Sequence, residues 1–357
     1  MTPSTKRAAA YVTAGPFSVA GVAFAVTHEY IKRLRRSEVP EDPELCLPEE
    51  ARHRVVALRD GGEAHLVEMG EGPALFLLHG ASLSAEVWSY QLRDLSGGHR
   101  VIAMDLRGHG RSLAGEQGVT ISAMAEDVAE VIADLGLERA VLVGHSMGGM
   151  VCLRLAREHP SLFGSSVGAL ALVSTSAGLG LPVLSWSRLA SAVSLVAGAG
   201  VGIWRPGRGF PTADTGYLAS RLGFGRHPRP AEVAWTLRML REVDPQVFSQ
   251  LVGEVLGFEE SAPFPGLVVP VVVAVGTSDH LTPPLYARRM AAGFEGARLN
   301  EYRNAGHMLM YERRQEIDEL LAELAETAQA PGSKSTLTAP VAFGAERAST
   351  ASRQRSS

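Results

Sequence analysis

The chain has 357 residues, 46% of them hydrophobic and 20% charged, which is enough for a sizeable core in one large domain or two average ones. A formal charge of -4 and a pI near 6.3 leave no electrostatic basis for nucleic-acid binding. Two distant cysteines, Cys46 and Cys152, exclude a disulfide framework, and no Cys/His cluster has the spacing of a structural zinc site.

Residues 8–27 carry no charge and are about long enough to span a bilayer as a helix. Lys6 and Arg7 precede them, and Lys32, Arg33, Arg35 and Arg36 follow. Three readings compete: a membrane anchor that leaves the rest of the chain in the cytoplasm, a signal peptide cleaved near Ala25, and a helix or leader of a cytoplasmic protein. The basic cluster makes a poor mature terminus, and the expectation taken forward is membrane association through residues 8–27. Prolines and acids at 39–50 predict a solvated linker, so residues 1–50 stand apart from the folded part.

From residue 51 strands and helices alternate. Residues 54–58 and 64–68 read as two strands joined by Asp60-Gly61-Gly62. Ala74-Leu-Phe-Leu-Leu78 is a continuous apolar run, as in a strand buried on both faces. A helix is predicted at 86–95, a strand at 101–104, and an amphipathic helix over 121–135 with Thr120 as its cap. Further strands are predicted at 140–143, 167–173, 268–275 and 299–303, with helices at 147–158 and from near Pro283 and Tyr311. This order predicts a mostly parallel α/β sheet flanked by helices, built from residues 51–176 and 262–329. Residues 177–261 lack strand patterning and hold helical runs at 193–203 and 233–256, which predicts an inserted helical cap over the strand ends. The Ser/Thr/Pro-rich residues 330–357 read as a disordered tail.

One motif stands out in this frame. Gly144-His-Ser-Met-Gly148 follows a strand and opens a helix, the context of a nucleophile elbow with Ser146 at its tip. A serine hydroxyl needs a base, and the base needs an orienting acid. Asp279 and His307 each follow a later predicted strand, so all three residues fall at the carboxyl edge of one sheet, in the order Ser, Asp, His. The Gly80 turn after the third strand and the start of the helix after Ser146 can aim backbone amides at one developing oxyanion. Those amides are assigned to Ala81 and Met147, with Ser82 as the substitute for Ala81. His79 is expected to brace that turn and His109 to stand outside the catalytic set.

Taken together, His79-Gly80, Asp105-Leu-Arg-Gly-His-Gly-Arg-Ser112, Gly144-His-Ser-Met-Gly-Gly149, Asp279 and Gly306-His307 resemble the α/β-hydrolase superfamily. The nearest likeness is to its serine-dependent esterase, lipase and haloperoxidase-like branch with a helical cap. The resemblance implies Ser146 as nucleophile, His307 as base, Asp279 as orienter, and no cofactor or metal. Related dehalogenases and epoxide hydrolases carry aspartate where this chain has Ser146. The expected function is cleavage of a small hydrophobic ester or acyl substrate. Carbon–carbon hydrolysis or perhydrolysis on the same triad is the enzymatic alternative, and a non-catalytic ligand-binding module the alternative of another class. Leu195, Val196, Val201, Ile203 and Trp204 are the apolar residues that would shape the substrate pocket or pack the cap.

Overall fold

The computed structural model describes residues 42–178, 220–260, 264 and 267–330. The candidate anchor at 8–27, the tail beyond 330, and Leu195, Val196, Val201, Ile203 and Trp204 lie outside the described residues. Among the described residues no helix is long and apolar enough to cross a membrane.

Eight strands form one sheet: β1 (Arg52–Ala57), β2 (Glu63–Met69), β3 (Ala74–Leu78), β4 (Arg100–Met104), β5 (Ala140–His145), β6 (Val167–Val173), β7 (Val271–Gly276) and β8 (Arg298–Tyr302). Their order is β1-β2-β4-β3-β5-β6-β7-β8. β1–β2 and β2–β4 pair antiparallel, while every pair from β4 to β8 is parallel. After β3 the chain steps outward to β4 and then returns to the other side of β3 as β5. That reversal opens a crevice at the carboxyl ends of β3 and β5, where ligands of such sheets bind.

Alternation along each strand divides the core in two. Phe76, Leu78, Leu142, Leu170 and Val273 point into one layer, whereas Leu75, Leu77, Val141, Val143, Ala171 and Val272 point into the other. The first layer is covered by α2 (Ile121–Asp134), α3 (Met147–Glu158) and α6 (Pro284–Ala291). The second is covered by α1 (Ser89–Leu95), α7 (Leu309–Glu312) and α8 (Arg314–Gln329). Strands buried on both faces are possible because each carries aliphatic side chains to both layers. Thr120 caps α2 by accepting from the Ala123 N–H at 3.1 Å.

Three expectations change. The 233–256 run is two helices, α4 (Pro230–Glu242) and α5 (Pro245–Gly257), because Pro245 cannot continue a helix and Asp244 caps the second by accepting from Gln246 and Val247. The strand expected from residue 268 begins at Val271. Pro270 has no N–H to give the ladder, and Val268 is 71% exposed. Residues 42–47 are folded onto the domain instead of forming a solvated linker. Leu45 is buried, and Asp42 and Glu44 pair with Arg229 and Arg314. Both Cys46 and Cys152 are free thiols.

Candidate active site

The turn from β5 to α3 is shaped by backbone contacts. Ser146 has φ 53° and ψ -118°, a left-handed conformation that costs a non-glycine residue about 1–3 kcal/mol and persists only where its surroundings enforce it. They do so here: the Ser146 N–H donates to the Val173 carbonyl at 3.0 Å, and Thr175 Oγ1 donates to the Ser146 carbonyl at 2.6 Å. A Cβ on Gly144 would lie 2.5 Å from the Gly148 carbonyl oxygen, and one on Gly148 would lie 2.5 Å from that of Leu78. The glycines two residues either side of Ser146 are therefore demanded by the close approach of strand, turn and helix.

Asp279 follows β7 and is buried. Its Oδ1 accepts from the Leu281 and Thr282 amides at 2.8 and 2.9 Å, and its Oδ2 accepts from Thr282 Oγ1 at 2.8 Å and His307 Nδ1 at 2.9 Å. Burial pushes this carboxyl up, but the His307 ring and the Thr282 hydrogen bonds outweigh it and hold it below the usual carboxylate range. The Nδ1–H of His307 thus points at Asp279, which leaves the lone pair on Nε2. Thr282 Oγ1 also stands 3.2 Å from His307 Nδ1. Ser146 and His307 line the same cavity, with no hydrogen bond between them among the described residues; such contacts often tighten only when substrate binds.

The turn after β3 is braced from two sides. His79 Nε2 accepts from the Leu106 N–H at 2.9 Å, so its Nδ1–H donates to the Gly80 carbonyl at 2.7 Å. His109 Nε2 accepts from the Ser82 N–H at 3.2 Å, and its Nδ1 donates to the Arg107 carbonyl. Burial pushes His109 down to about 3 and lowers His79 as well, so both rings are neutral braces. The Ser82 amide is consequently occupied. Among the described residues the amides of Ala81, in the turn after β3, and of Met147, at the start of α3, have no acceptor.

The cavity holds about 380 Å³ and is walled by Leu83, Met150, Leu240, Val255, Leu281 and Met308 around Ser146. Leu240 and Val255 come from α4 and α5, so the insertion between β6 and β7 supplies one wall. Among the described residues no three His, Cys, Asp or Glu side chains converge as a metal site.

Several contributors carry no sequence motif of their own. His145 is fully buried; its Nε2 donates to the His307 carbonyl at 3.0 Å, and its Nδ1 has no partner. Burial, then the nearby His307, holds this ring neutral. The Gly223 carbonyl accepts from the His307 and Met308 amides. Thr282 alone had a readable signal, since Asp-x-x-Thr is the spacing of a capping turn.

Comparison with known proteins follows the same lines. The AB hydrolase superfamily protein YisY of Bacillus subtilis (strain 168) is 28% identical over 267 residues, covering 73% of this chain and 94% of that one. Bifunctional epoxide hydrolase 2 of Sus scrofa is 36% identical over 121 residues, which span 33% of this chain and 22% of that protein. Among solved structures, a thermophilic esterase from Thermogutta terrifontis superposes with a TM-score of 0.64 at 25% identity, covering 78% of this chain and 100% of that one. The pattern of the alpha/beta hydrolase fold matches residues 73–314, more than half of the chain and the whole stretch from β3 to the helix after His307. With that match and this sheet order, the chain belongs to the α/β-hydrolase family of enzymes.

Proposed function

We propose that the protein is a serine hydrolase that cleaves a carboxylic ester with an uncharged, apolar acyl group. The observation that carries this reading is the Asp279–His307 pair at 2.9 Å, set beside a Ser146 whose backbone is strained toward the same cavity. Ser146 Oγ attacks the carbonyl carbon while His307 Nε2 takes its proton, and Asp279 stabilises the resulting imidazolium. The negative charge on the former carbonyl oxygen is received by the Ala81 and Met147 amides. Collapse of the tetrahedral species breaks the ester C–O bond, and the leaving alkoxide takes the proton from His307. Water, deprotonated by the same ring, then attacks the acyl-enzyme, releasing the acid and regenerating Ser146. Helices α4 and α5 act as a cap whose Leu240, Val255 and Leu256 side chains, together with Met150 and Met308, favour an apolar acyl chain.

Turnover of p-nitrophenyl butyrate and labelling by a fluorophosphonate probe test the reading. Ser146→Ala is expected to lose labelling entirely and to lose turnover down to the residual ~10³–10⁴-fold over water that binding and oxyanion donors sustain. Parental turnover in Ser146→Ala would refute the assignment. A parent chain that neither labels nor turns over would instead mark a binding module.

A further inference from the structure

The loop that carries His307 is held from outside the sheet. Its backbone is gripped by residues 223–226, which belong to the insertion between β6 and β7. The amides of His307 and Met308 donate to the Gly223 carbonyl at 2.8 and 3.2 Å, and the Arg226 amide donates to the Asn304 carbonyl at 3.3 Å. One carboxylate closes the junction. Glu312 Oε2 accepts from the Gly225 N–H at 2.7 Å, and its Oε1 accepts from the Gly306 N–H at 2.8 Å.

The two segments meet backbone to backbone. A Cβ on Gly306 would lie 2.4 Å from the Gly225 nitrogen, and one on Gly225 would lie 2.2 Å from the Asn304 carbonyl oxygen. Asn304 itself sits at φ 61°, strain that the surrounding contacts must enforce. Among the described residues, these two converging N–H groups have no acceptor except Glu312. A carboxylate suits them because both its oxygens accept and neither donates. Glu312 is absent from the cavity wall, so any effect on the reaction runs through the loop it holds.

We propose that Glu312 is a positioning residue: by binding Gly225 and Gly306 at once, it sets where His307 stands relative to Ser146. The insertion is then part of the seat of the catalytic base as well as a wall of the pocket. This rests on His307 being the base, as argued above. Freed from Glu312, the loop can shift by a fraction of an ångström to an ångström, and a displacement of that size costs on the order of a hundredfold in rate. Binding of the acyl group, which the apolar walls govern, is left in place.

The test uses the full chain carrying Glu312→Gln, with Glu312→Ala as the harsher variant. In Gln the second oxygen becomes an NH₂ that faces an N–H, so the bridge fails while volume is kept. The expected result is kcat for p-nitrophenyl butyrate lowered about ten- to a hundredfold, with KM within about twofold of the parent. Fluorophosphonate labelling of Ser146, measured per folded molecule, should slow by the same factor, since it depends on the base. Normalising to folded molecules keeps the test decisive if Glu312→Ala is unstable. Labelling and kcat within about twofold of the parent overturn the proposal, as does a loss confined to KM. If the parent itself neither labels nor turns over ester, the triad reading falls and this proposal with it; if the parent labels and Glu312→Gln labels as fast, only the role of Glu312 falls.

Discussion

Gly148→Ala offers a direct test of how the elbow is built. The added Cβ would lie 2.5 Å from the Leu78 carbonyl oxygen and 2.7 Å from that of His79. Comfortable contact between non-bonded heavy atoms begins near 3.5 Å, so the methyl group arrives about 1 Å too close. Neither oxygen can rotate away, because Leu78 ends β3, locked between β4 and β5, and His79 follows it in the turn that its own ring braces. The start of α3 must move outward instead. Overpacking of this kind costs about 1–3 kcal/mol. The same movement carries the Met147 amide away from the Ala81 amide, and if these form the proposed oxyanion pair, losing one donor lowers turnover by about 10²–10³. Urea unfolding and p-nitrophenyl butyrate turnover measure the two effects. Gly253→Ala is the control: it lies within α5, a Cβ there meets nothing within 4 Å, and it should hold or gain about 0.4–1 kcal/mol. A Gly148→Ala chain with the parental unfolding midpoint and parental turnover would refute the reasoning.

Two further predictions concern single side chains. Thr282→Val keeps the shape but removes the hydroxyl that donates to Asp279 Oδ2 at 2.8 Å. A hydrogen bond to a charged group is worth about 1.5–3 kcal/mol, and kcat/KM should fall about tenfold in Thr282→Val but hold in Thr282→Ser; equal losses would show that the hydroxyl is irrelevant. Burial pushes the Asp318 carboxyl up to about 7, with Asp94 beside it adding to the rise and Gln91 opposing it. Between about pH 4 and about pH 7 the folded chain therefore holds a proton that the unfolded chain has lost, and stability should fall as pH rises through that window. Asp318→Asn, neutral throughout, should flatten that decline in Tm; an unchanged decline would assign it elsewhere.

Most of the sheet could be read from the sequence because strands buried on both faces are near-continuous aliphatic runs and the intervening helices repeat at three and four residues. β3, β6 and α3 lie where the pattern puts them. Errors arose where apolarity and backbone chemistry disagree, as at Pro270 and Pro245. Residues 42–47 look solvated in sequence because their partners, Arg229 and Arg314, lie far along the chain. The candidate site divides in the same way. Ser146, Asp279 and His307 follow strands and so could be placed on one edge from the sequence. The grip of the Gly223 carbonyl and the Glu312 carboxylate on the His307 loop falls on backbone amides and has no sequence pattern to betray it.

The two outermost strands have a consequence for how the molecule meets its own kind. β1 leaves Arg52, His53 and Arg54 exposed, with Arg54 tied to Asp134. β8 carries Arg298 and Glu301, engaged by Glu323 and Arg288. Charged side chains on a border strand make a poor template for a strand from another molecule. Among the described residues, neither border of this sheet invites extension across copies.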